Sequence, residues 1–286
     1  MDSPNERRFT GADGVEIYCR HWNPRLEQDE SPRAIVFMCH GLFEYFGTDL
    51  HVAESLVKAG FLVCGHDHSG HGRSGGEPGQ VHSLENYVTD VVTHVKHMKS
   101  SLPDCPVFLV GHSMGGAIAL LAGLQQPQLF RGIILIGPLV VPDPEIATPT
   151  MKFVAKLLST LAPGLGIQSI NNDHLSRDRA VVERFNTDPL IFRGKISLRT
   201  GRALLAAVEK IEKNLPNITF PFLCIHGGGD RICSVQGAQA LLDKSSSSDK
   251  TLSIYPGAYH RVQDEPDGVK EKCSAAILAW ISERLD

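Results

Sequence analysis

The chain has 286 residues, of which 42% are hydrophobic and 21% are charged, a composition typical of a globular protein with a substantial core. Its formal net charge of -4 and the lack of a basic tail argue against a nucleic-acid partner, which usually needs a basic face. Because no apolar run reaches the roughly 18 residues that span a bilayer, we expect no membrane-crossing helix.

The amino-terminal sequence and the cysteines indicate the cellular compartment. MDSPNERRFT is polar and lacks the apolar segment of a secretory signal. The seven cysteines are odd in number and scattered, with no CxxC pair, which is not the pattern of a disulfide framework. We therefore expect a cytoplasmic protein with reduced cysteines.

Short apolar runs alternate with helical patterns along most of the chain. The predicted strands are residues 34–38, 61–64, 107–110, 132–136, 221–225 and 251–255. The predicted helices are residues 51–59, 84–100, 116–125, 236–242 and 268–284. Because the strands are apolar on both faces and alternate with helices, we expect an α/β fold with a doubly wound, mostly parallel sheet.

One long segment, about residues 138–214, interrupts this alternation. No strand is predicted in it, and PTMKFVAKLLSTLAPGLG and ISLRTGRALLAAVEKIEKNL both have helical patterns. An insertion after the carboxyl end of a strand lies where α/β proteins bind ligands. We therefore expect a single domain over residues 1–286, with a core at about 8–137 and 215–286 and a helical cap at about 138–214.

The first predicted cap helix has an unusually narrow polar stripe, formed by Lys152, Lys156 and Ser159. A helix that only covers a core normally has a broader polar face. The pattern fits a lid that lies against lipid and lines an apolar tunnel. It also fits a helix that is buried on both faces within the cap, so both interpretations stay open.

The sequence GHSMG at residues 111–115 predicts a sharp turn between a strand and a helix. Such a turn forces Ser113 into a strained backbone conformation, and side chains two positions away would clash, so glycines are needed there. The turn exposes the Ser113 hydroxyl, and the N–H of Met114 then points to where an oxyanion would form. After an early strand, His40-Gly41 turns the chain so that the N–H of Leu42 can supply the second donor.

A serine nucleophile needs a base and an orienting acid. Asp230 and His260 each follow the end of a predicted strand, on the same sheet edge as Ser113 and in the order serine, acid, histidine. The alternative acids lie in or near the cap: Asp143, Asp173 and Asp188. We therefore predict a triad of Ser113, Asp230 and His260.

The sequence HDHSGH at residues 66–71 raises the alternative of a metal-dependent hydrolase. The HxHxDH pattern of such enzymes requires an aspartate where Gly70 stands here. The run follows a predicted strand and leads into a glycine-rich turn, as expected of a loop that makes structural hydrogen bonds. We therefore expect neither a metal nor a cofactor.

With these motifs in place, the chain resembles the monoglyceride lipases of the α/β-hydrolase superfamily over nearly its whole length. The resemblance rests on FMCHG, HDHSGHGRS, PVFLVGHSMGGAIALL, DPLI, DRIC and PGAYH, in that order. It implies the same triad, with Leu42 and Met114 as the oxyanion donors. It further implies hydrolysis of monoacylglycerols to fatty acid and glycerol at a membrane surface, without a cofactor.

The resemblance also identifies residues beyond the triad. It implies that Glu44 helps to line the glycerol end of the pocket, that Phe185 replaces a cap tyrosine in the substrate pocket, and that Cys233 matches a cysteine of the family. The chain departs from the family at Thr48, where an arginine is usual, and at Gln263, where a histidine is often found. These departures concern the head group and leave the ester chemistry intact.

Other functions remain open at this point. A lysophospholipase, a thioesterase or a general carboxylesterase would use the same triad, because specificity lies in the cap and pocket. A non-catalytic module that kept the fold for binding is a further alternative. We expect a lipid ester as partner, peripheral contact of the cap with a membrane surface and no nucleic acid, and we leave a homodimer open.

Overall fold

The computed structural model describes residues 3–25, 30–141 and 162–285. Its main sheet has eight strands in the described residues. These are β1 (Asn5–Thr10), β2 (Glu16–Trp22), β3 (Ile35–Cys39), β4 (Leu62–His66), β5 (Val107–His112), β6 (Gly132–Ile136), β9 (Phe222–Gly227) and β10 (Lys250–Tyr255). The strand order is β1-β2-β4-β3-β5-β6-β9-β10. The six strands from β4 to β10 in this order are parallel to one another, which confirms the predicted sheet.

Five helices of the main fold begin and end within two residues of their predicted limits. They are α1 (Leu50–Lys58), α2 (Leu84–Ser100), α3 (Met114–Gln125), α6 (Val235–Lys244) and α7 (Val269–Ser282). Local signals explain the start of α2, because the Ser83 side chain accepts a hydrogen bond from the N–H of Glu85. In α3 every residue from Met114 to Gly123 is buried, since this helix lies in the interior directly after β5.

The sheet separates two apolar cores, and alternate residues of each parallel strand enter them. Phe37 of β3 and Leu109 of β5 pack into the core that contains α2 and α3. Val36 and Phe108, each one residue earlier in the same strands, pack into the core that contains α1 and α7. This alternation is why these strands are apolar on both faces in the sequence.

The sequence did not predict the amino-terminal hairpin of β1 and β2. These strands are antiparallel to each other, and β2 is antiparallel to β4 at the sheet edge. The sequence of β1, NERRFT, is polar and almost wholly exposed, so it lacks the apolar alternation that identifies a strand.

The described part of the predicted cap begins at residue 162. It contains β7 (Gly166–Gln168), α4 (Arg179–Thr187), β8 (Ile196–Ser197) and α5 (Leu198–Asn214). The expectation of no strand in this segment is wrong, because β7 and β8 form a separate two-stranded antiparallel sheet. At three and two residues, these strands are too short to produce a periodic pattern.

The second predicted cap helix is present as α5. The first, with Lys152, Lys156 and Ser159, lies outside the described residues, so both interpretations of it stay predictions. The domain limits stay predictions as well. Within residues 3–25, 30–141 and 162–285, no helix combines the length and apolar character needed to cross a bilayer.

Candidate active site

Ser113 lies at the sharp turn between β5 and α3, as predicted. Its φ of 55° and ψ of -118° are a strained combination for a residue other than glycine. A Cβ atom on Gly115 would collide with the Cys39 carbonyl oxygen and lie 2.7 Å from that of His40. A Cβ on Gly111 would collide with the Gly115 carbonyl. The glycines on both sides are therefore required by close backbone packing.

Asp230 and His260 meet at the carboxyl ends of β9 and β10. His260 Nδ1 lies 2.8 Å from Asp230 Oδ2, and both side chains are buried. Asp230 Oδ1 accepts the backbone N–H groups of Ile232 and Cys233 at 2.8 and 3.0 Å, and His226 Nε2 lies 3.2 Å from Oδ2. The carboxylate is thus fully surrounded by donors, and its bond to Nδ1 leaves Nε2 of His260 available for a substrate group.

The two buried groups shift each other's ionisation. Burial alone raises the pKa of Asp230, but the charge of His260 and the hydrogen bonds from His226 and His260 outweigh it, so the pKa lies below its ordinary value. Burial lowers the pKa of His260, and the nearby Asp230 carboxylate only partly opposes this effect. At neutral pH the pair is therefore an aspartate and a neutral imidazole, as a general base requires.

Two of the alternative acids have other polar partners. Asp173 is exposed and pairs with Arg179 at 2.6 Å. Asp188 accepts the hydroxyl of Tyr45 at 2.8 Å. Asp143 lies outside the described residues.

Ser113 and His260 line the same cavity, which has a volume of about 210 Å³. Among the described residues, Ser113 Oγ has a polar contact with Cys233 Sγ at 4.0 Å. The Ser113 hydroxyl makes no hydrogen bond to His260 within these residues. Catalytic hydrogen bonds of this kind often tighten only when substrate binds. An aspartate–histidine pair beside a strained serine can convert the hydroxyl into a nucleophile.

The predicted oxyanion donors are the N–H groups of Leu42 and Met114. Leu42 lines the cavity with Ser113, and Met114 is the first residue of α3. Within the described part of the chain, neither N–H donates to another backbone group. Phe43, directly after Leu42, has a φ of 68°, so this loop also follows a strained path.

The wall of the cavity combines apolar and polar residues. Its polar residues are Glu44, Ser113, Ser169, Asn172, Asn186, Arg193 and His260. Both predicted substrate-binding residues, Glu44 and Phe185, lie in it. The other apolar residues are Leu42, Phe43, Leu175, Ile191, Phe192 and Ile232, and Ile170 lies beside them. A cavity that combines apolar residues with convergent polar groups is the usual form of a small-molecule site.

The sequence analysis missed the residue that follows the predicted base. Arg261 is fully buried and pairs with Glu44 Oε1 at 2.7 Å and with Asp264 Oδ2 at 2.6 Å. Its other terminal nitrogen, Nη2, pairs with Asp49 Oδ1. Its guanidinium also lies 4.8 Å from the ring centre of Phe185. The available signal was a charged residue directly after His260, next to the predicted base.

His112 was missed as well, although it stands within the GHSMG motif. Its Nδ1 lies 3.3 Å from Glu44 Oε2, and its ring centre lies 4.7 Å from that of His260. Burial alone raises the pKa of Glu44, but the charges of Arg261 and His112 outweigh it and hold the pKa well below its ordinary value. Glu44 is therefore a buried anion.

The histidines of HDHSGH form a buried cluster. His66, His68 and His71 pack with His40 and His94, and the backbone N–H of His68 donates to His40 Nε2 at 2.9 Å. Burial lowers the pKa of all five imidazoles, so they are neutral at pH 7. Among the described residues no group of three or more histidine, cysteine or acidic side chains has an arrangement suited to a metal ion.

Comparisons with known proteins agree with this geometry. The Hydrolase_4 family, described as serine aminopeptidase, S33, matches residues 30–267. The monoglyceride lipase of Homo sapiens is 41% identical over 276 residues, which cover 96% of this chain and 90% of that protein. The monoacylglycerol lipase of Mycolicibacterium smegmatis is 36% identical over 281 residues, which cover 98% of each chain.

A solved structure gives the same result. The monoacylglycerol lipase of Paleococcus ferrophilus matches with a TM-score of 0.81 and 28% identity, over 94% of this chain and 99% of that one. From the sequence identity along nearly the whole chain, this protein belongs to the monoglyceride lipase family of the α/β-hydrolase superfamily.

Proposed function

We propose that this protein hydrolyses monoacylglycerols to a free fatty acid and glycerol through an acyl-serine intermediate at Ser113. The observation that carries the proposal is the cavity that Ser113 lines together with His260, whose Nδ1 lies 2.8 Å from Asp230 Oδ2. The relatives named monoglyceride lipase or monoacylglycerol lipase support the choice of substrate. No cofactor takes part in the proposed reaction.

Acylation begins with Nε2 of His260, which removes the proton of Ser113 Oγ while the oxygen attacks the ester carbonyl. The N–H groups of Leu42 and Met114 stabilise the negative oxygen of the tetrahedral intermediate. The protonated His260 then donates its proton to the departing glycerol oxygen as the carbon–oxygen bond breaks. The acyl group remains on Ser113.

Deacylation repeats these steps with water. His260 removes a proton from the water, and the water oxygen attacks the acyl-serine. His260 then donates that proton to Ser113 Oγ as the fatty acid leaves. Asp230 holds the imidazole in the tautomer with its proton on Nδ1 and stabilises its positive charge. A small displacement of this carboxylate would therefore slow both halves of the reaction.

We propose that the two ends of the substrate contact different parts of the cavity. The acyl chain lies against the apolar residues of the wall, where burial contributes about 0.8 kcal/mol per CH₂ group. The glycerol hydroxyls lie near Glu44, a buried anion that can accept a hydrogen bond, and Phe185 closes the same end. Long-chain esters are then favoured over short ones.

The cap at about residues 138–214 is the part proposed to contact a membrane surface, from which the lipid enters. The exposed Leu165 and Ile167 belong to the described part of this segment and support the proposal. The proposed location is the cytoplasm with peripheral attachment to membranes. A nucleic-acid partner is not proposed, and a homodimer is compatible with the site.

The decisive experiment is a hydrolysis panel with the purified protein. It compares 1-monooleoylglycerol, dioleoylglycerol, lysophosphatidylcholine and p-nitrophenyl butyrate, with and without phosphatidylcholine vesicles. We expect the highest kcat/KM for the monoacylglycerol, and Ser113→Ala serves as the inactive control. Faster hydrolysis of lysophosphatidylcholine would instead identify a lysophospholipase, and activity on the p-nitrophenyl ester alone a general carboxylesterase.

A second experiment separates an enzyme from a binding module. A fluorophosphonate probe reacts with an activated serine, so we expect it to label Ser113 in the unmodified protein and not in Ser113→Ala. A chelator should not change the rate, because the proposed steps use no metal. An unlabelled protein would favour the binding module.

A further inference from the structure

We propose that Arg261 is a positioning residue that couples the loop of the general base to the oxyanion loop through the Glu44 carboxylate. This inference rests on the proposed function, because it concerns the geometry of the same reaction. It assigns to Arg261 an effect on every ester substrate. A residue that only recognised glycerol would affect monoacylglycerols alone.

One side of this coupling is the rigid anchoring of Arg261 beside His260. The guanidinium is fully buried and uses three of its nitrogens on three carboxylates, those of Glu44, Asp49 and Asp264. Its backbone N–H donates to the Leu175 carbonyl at 2.7 Å. Because a guanidinium is planar, these partners fix its orientation as well as its position. The chain at His260 is thereby fixed as well.

The other side of the coupling is the contact of Glu44 with the oxyanion loop. Glu44 Oε2 accepts the N–H of Gly41 at 3.2 Å, and the N–H of Glu44 donates to the Gly41 carbonyl at 3.3 Å. These two bonds close a short loop that contains Leu42. The N–H of Leu42 therefore keeps its direction only while the Glu44 carboxylate keeps its place, which Arg261 determines through Oε1.

Position 48 provides an internal test of this arrangement. This chain has Thr48 there, a residue without a charge. Arg261 Nη2 lies 3.4 Å from the Thr48 carbonyl oxygen, so the guanidinium of Arg261 occupies the region next to position 48. We infer that Arg261, on the loop that follows β10, supplies the positive charge that holds the Glu44 carboxylate. An arginine at position 48 would supply the same charge from the loop that follows β3.

The test compares Arg261→Lys, Arg261→Met and the double variant Arg261→Met with Thr48→Arg. A lysine at position 261 keeps the positive charge but lacks the planar guanidinium. The double variant instead places a guanidinium at position 48. The matched control is Arg184→Lys, because Arg184 is half-exposed and pairs with Asp264 at 3.2 Å without reaching Glu44. Each variant is assayed with 1-monooleoylglycerol and with p-nitrophenyl butyrate, and its thermal unfolding midpoint is measured.

We expect Arg261→Lys to lower kcat at least about tenfold on both esters with little change in KM, since complete loss of one oxyanion donor costs about 10²–10³ in rate. The rate of fluorophosphonate labelling should fall by the same factor. The double variant should recover most of this loss, and Arg184→Lys should match the unmodified protein. If Arg261→Met does not fold, the lysine and double variants still decide the question.

Two results would overturn the proposal. The first is a defect confined to 1-monooleoylglycerol with a raised KM, which would make Arg261 a head-group residue. The second is an Arg261→Lys variant with unchanged kcat on both esters and unchanged labelling. Failure of the proposed function is distinguishable from both, because it would appear in the unmodified protein, either as no preference for the monoacylglycerol or as no reaction with the probe.

Discussion

Asp230 Oδ2 lies 2.8 Å from Nδ1 of His260, although the two residues stand 30 positions apart and follow different strands. The parallel pairing of β9 with β10 brings them together, because both strands end at the same edge of the sheet. The contact fixes one nitrogen of the imidazole and determines how the site responds to pH and to substitution.

Replacement of the nucleophile tests the reaction type. Ser113→Ala should lower kcat by on the order of 10⁶, as the loss of a serine nucleophile does in other serine hydrolases. The variant should still bind monoacylglycerol, since the cavity wall is unchanged. Steady-state hydrolysis and equilibrium binding of a fluorescent monoacylglycerol measure these two properties. Substantial residual turnover would contradict the acyl-serine mechanism.

The pH dependence tests the base. Burial lowers the pKa of His260 below its ordinary value of 6.5, so kcat/KM should stay constant as the pH falls to 6.5 and decrease only below it. Asp230→Asn removes a charge that raises this pKa, so the decrease should move to still lower pH. The plateau should also fall by about 10⁴, because the tautomer is no longer held. Rate profiles from pH 4.5 to 8.5 measure both effects. A decrease of kcat/KM that moved to higher pH in Asp230→Asn would contradict the prediction.

The buried histidine cluster predicts loss of stability in mild acid. Burial lowers the pKa of His40 to about 4 and those of His71 and His94 to about 3. Between these values and 6.5 the unfolded chain binds protons that the folded chain does not. Stability is therefore complete above pH 6.5 and decreases towards pH 4, by up to about 1.4 kcal/mol per pH unit for each histidine.

Urea unfolding at pH 7.5, 6 and 5 measures this slope. His94→Gln should reduce the number of protons bound on unfolding by about one, and so reduce the slope of the unfolding free energy against pH. His97→Gln provides the matched control, because His97 is exposed on the same helix, α2. An unfolding free energy that does not change with pH in this range would contradict the prediction.

The glycine requirement at the elbow can be tested with a matched pair of substitutions. Gly115→Ala places a Cβ against the carbonyl oxygens of Cys39 and His40, so it should lower the free energy of unfolding by about 1–3 kcal/mol and abolish activity. Gly201→Ala lies in α5, where the nearest atom to an added Cβ is 3.7 Å away. It should raise stability by about 0.5–1 kcal/mol with unchanged activity. Urea unfolding of both variants measures the difference.

Substitution of Cys233 tests whether the thiol in polar contact with the Ser113 hydroxyl is chemically active. Burial raises the pKa of its thiol, and the charge of Asp230 adds to the shift, so the thiol is protonated at neutral pH. Cys233→Ala should therefore retain most of the activity, and N-ethylmaleimide should react slowly with the folded protein. Cys233→Leu should lower activity, because the larger side chain would crowd Ser113 Oγ at its 4.0 Å contact. Loss of activity in the alanine variant would show a chemical role for the thiol.

Local patterns were sufficient to predict the parallel sheet, the main helices and the strained turn at Ser113. Each depends on neighbouring residues: apolar strands, helical periodicity, or glycines two positions from a serine. Asp230 and His260 could also be selected, because a residue just past a parallel strand must lie at the sheet's active edge. The hairpin of β1 and β2 and the pairing of β7 with β8 were missed, since polar or very short strands leave no periodic signal.

The tertiary structure alone decided what surrounds the predicted triad. Arg261 and Glu44 are 217 positions apart, and their ion pair exists only because the loops after β10 and β3 meet above the sheet. Likewise, His226 and His112 acquire their roles from contacts with Asp230 and Glu44 that no local spacing encodes. A sequence pattern reports the backbone conformation near each residue, whereas a buried charge network depends on which distant side chains the fold brings within hydrogen-bond distance.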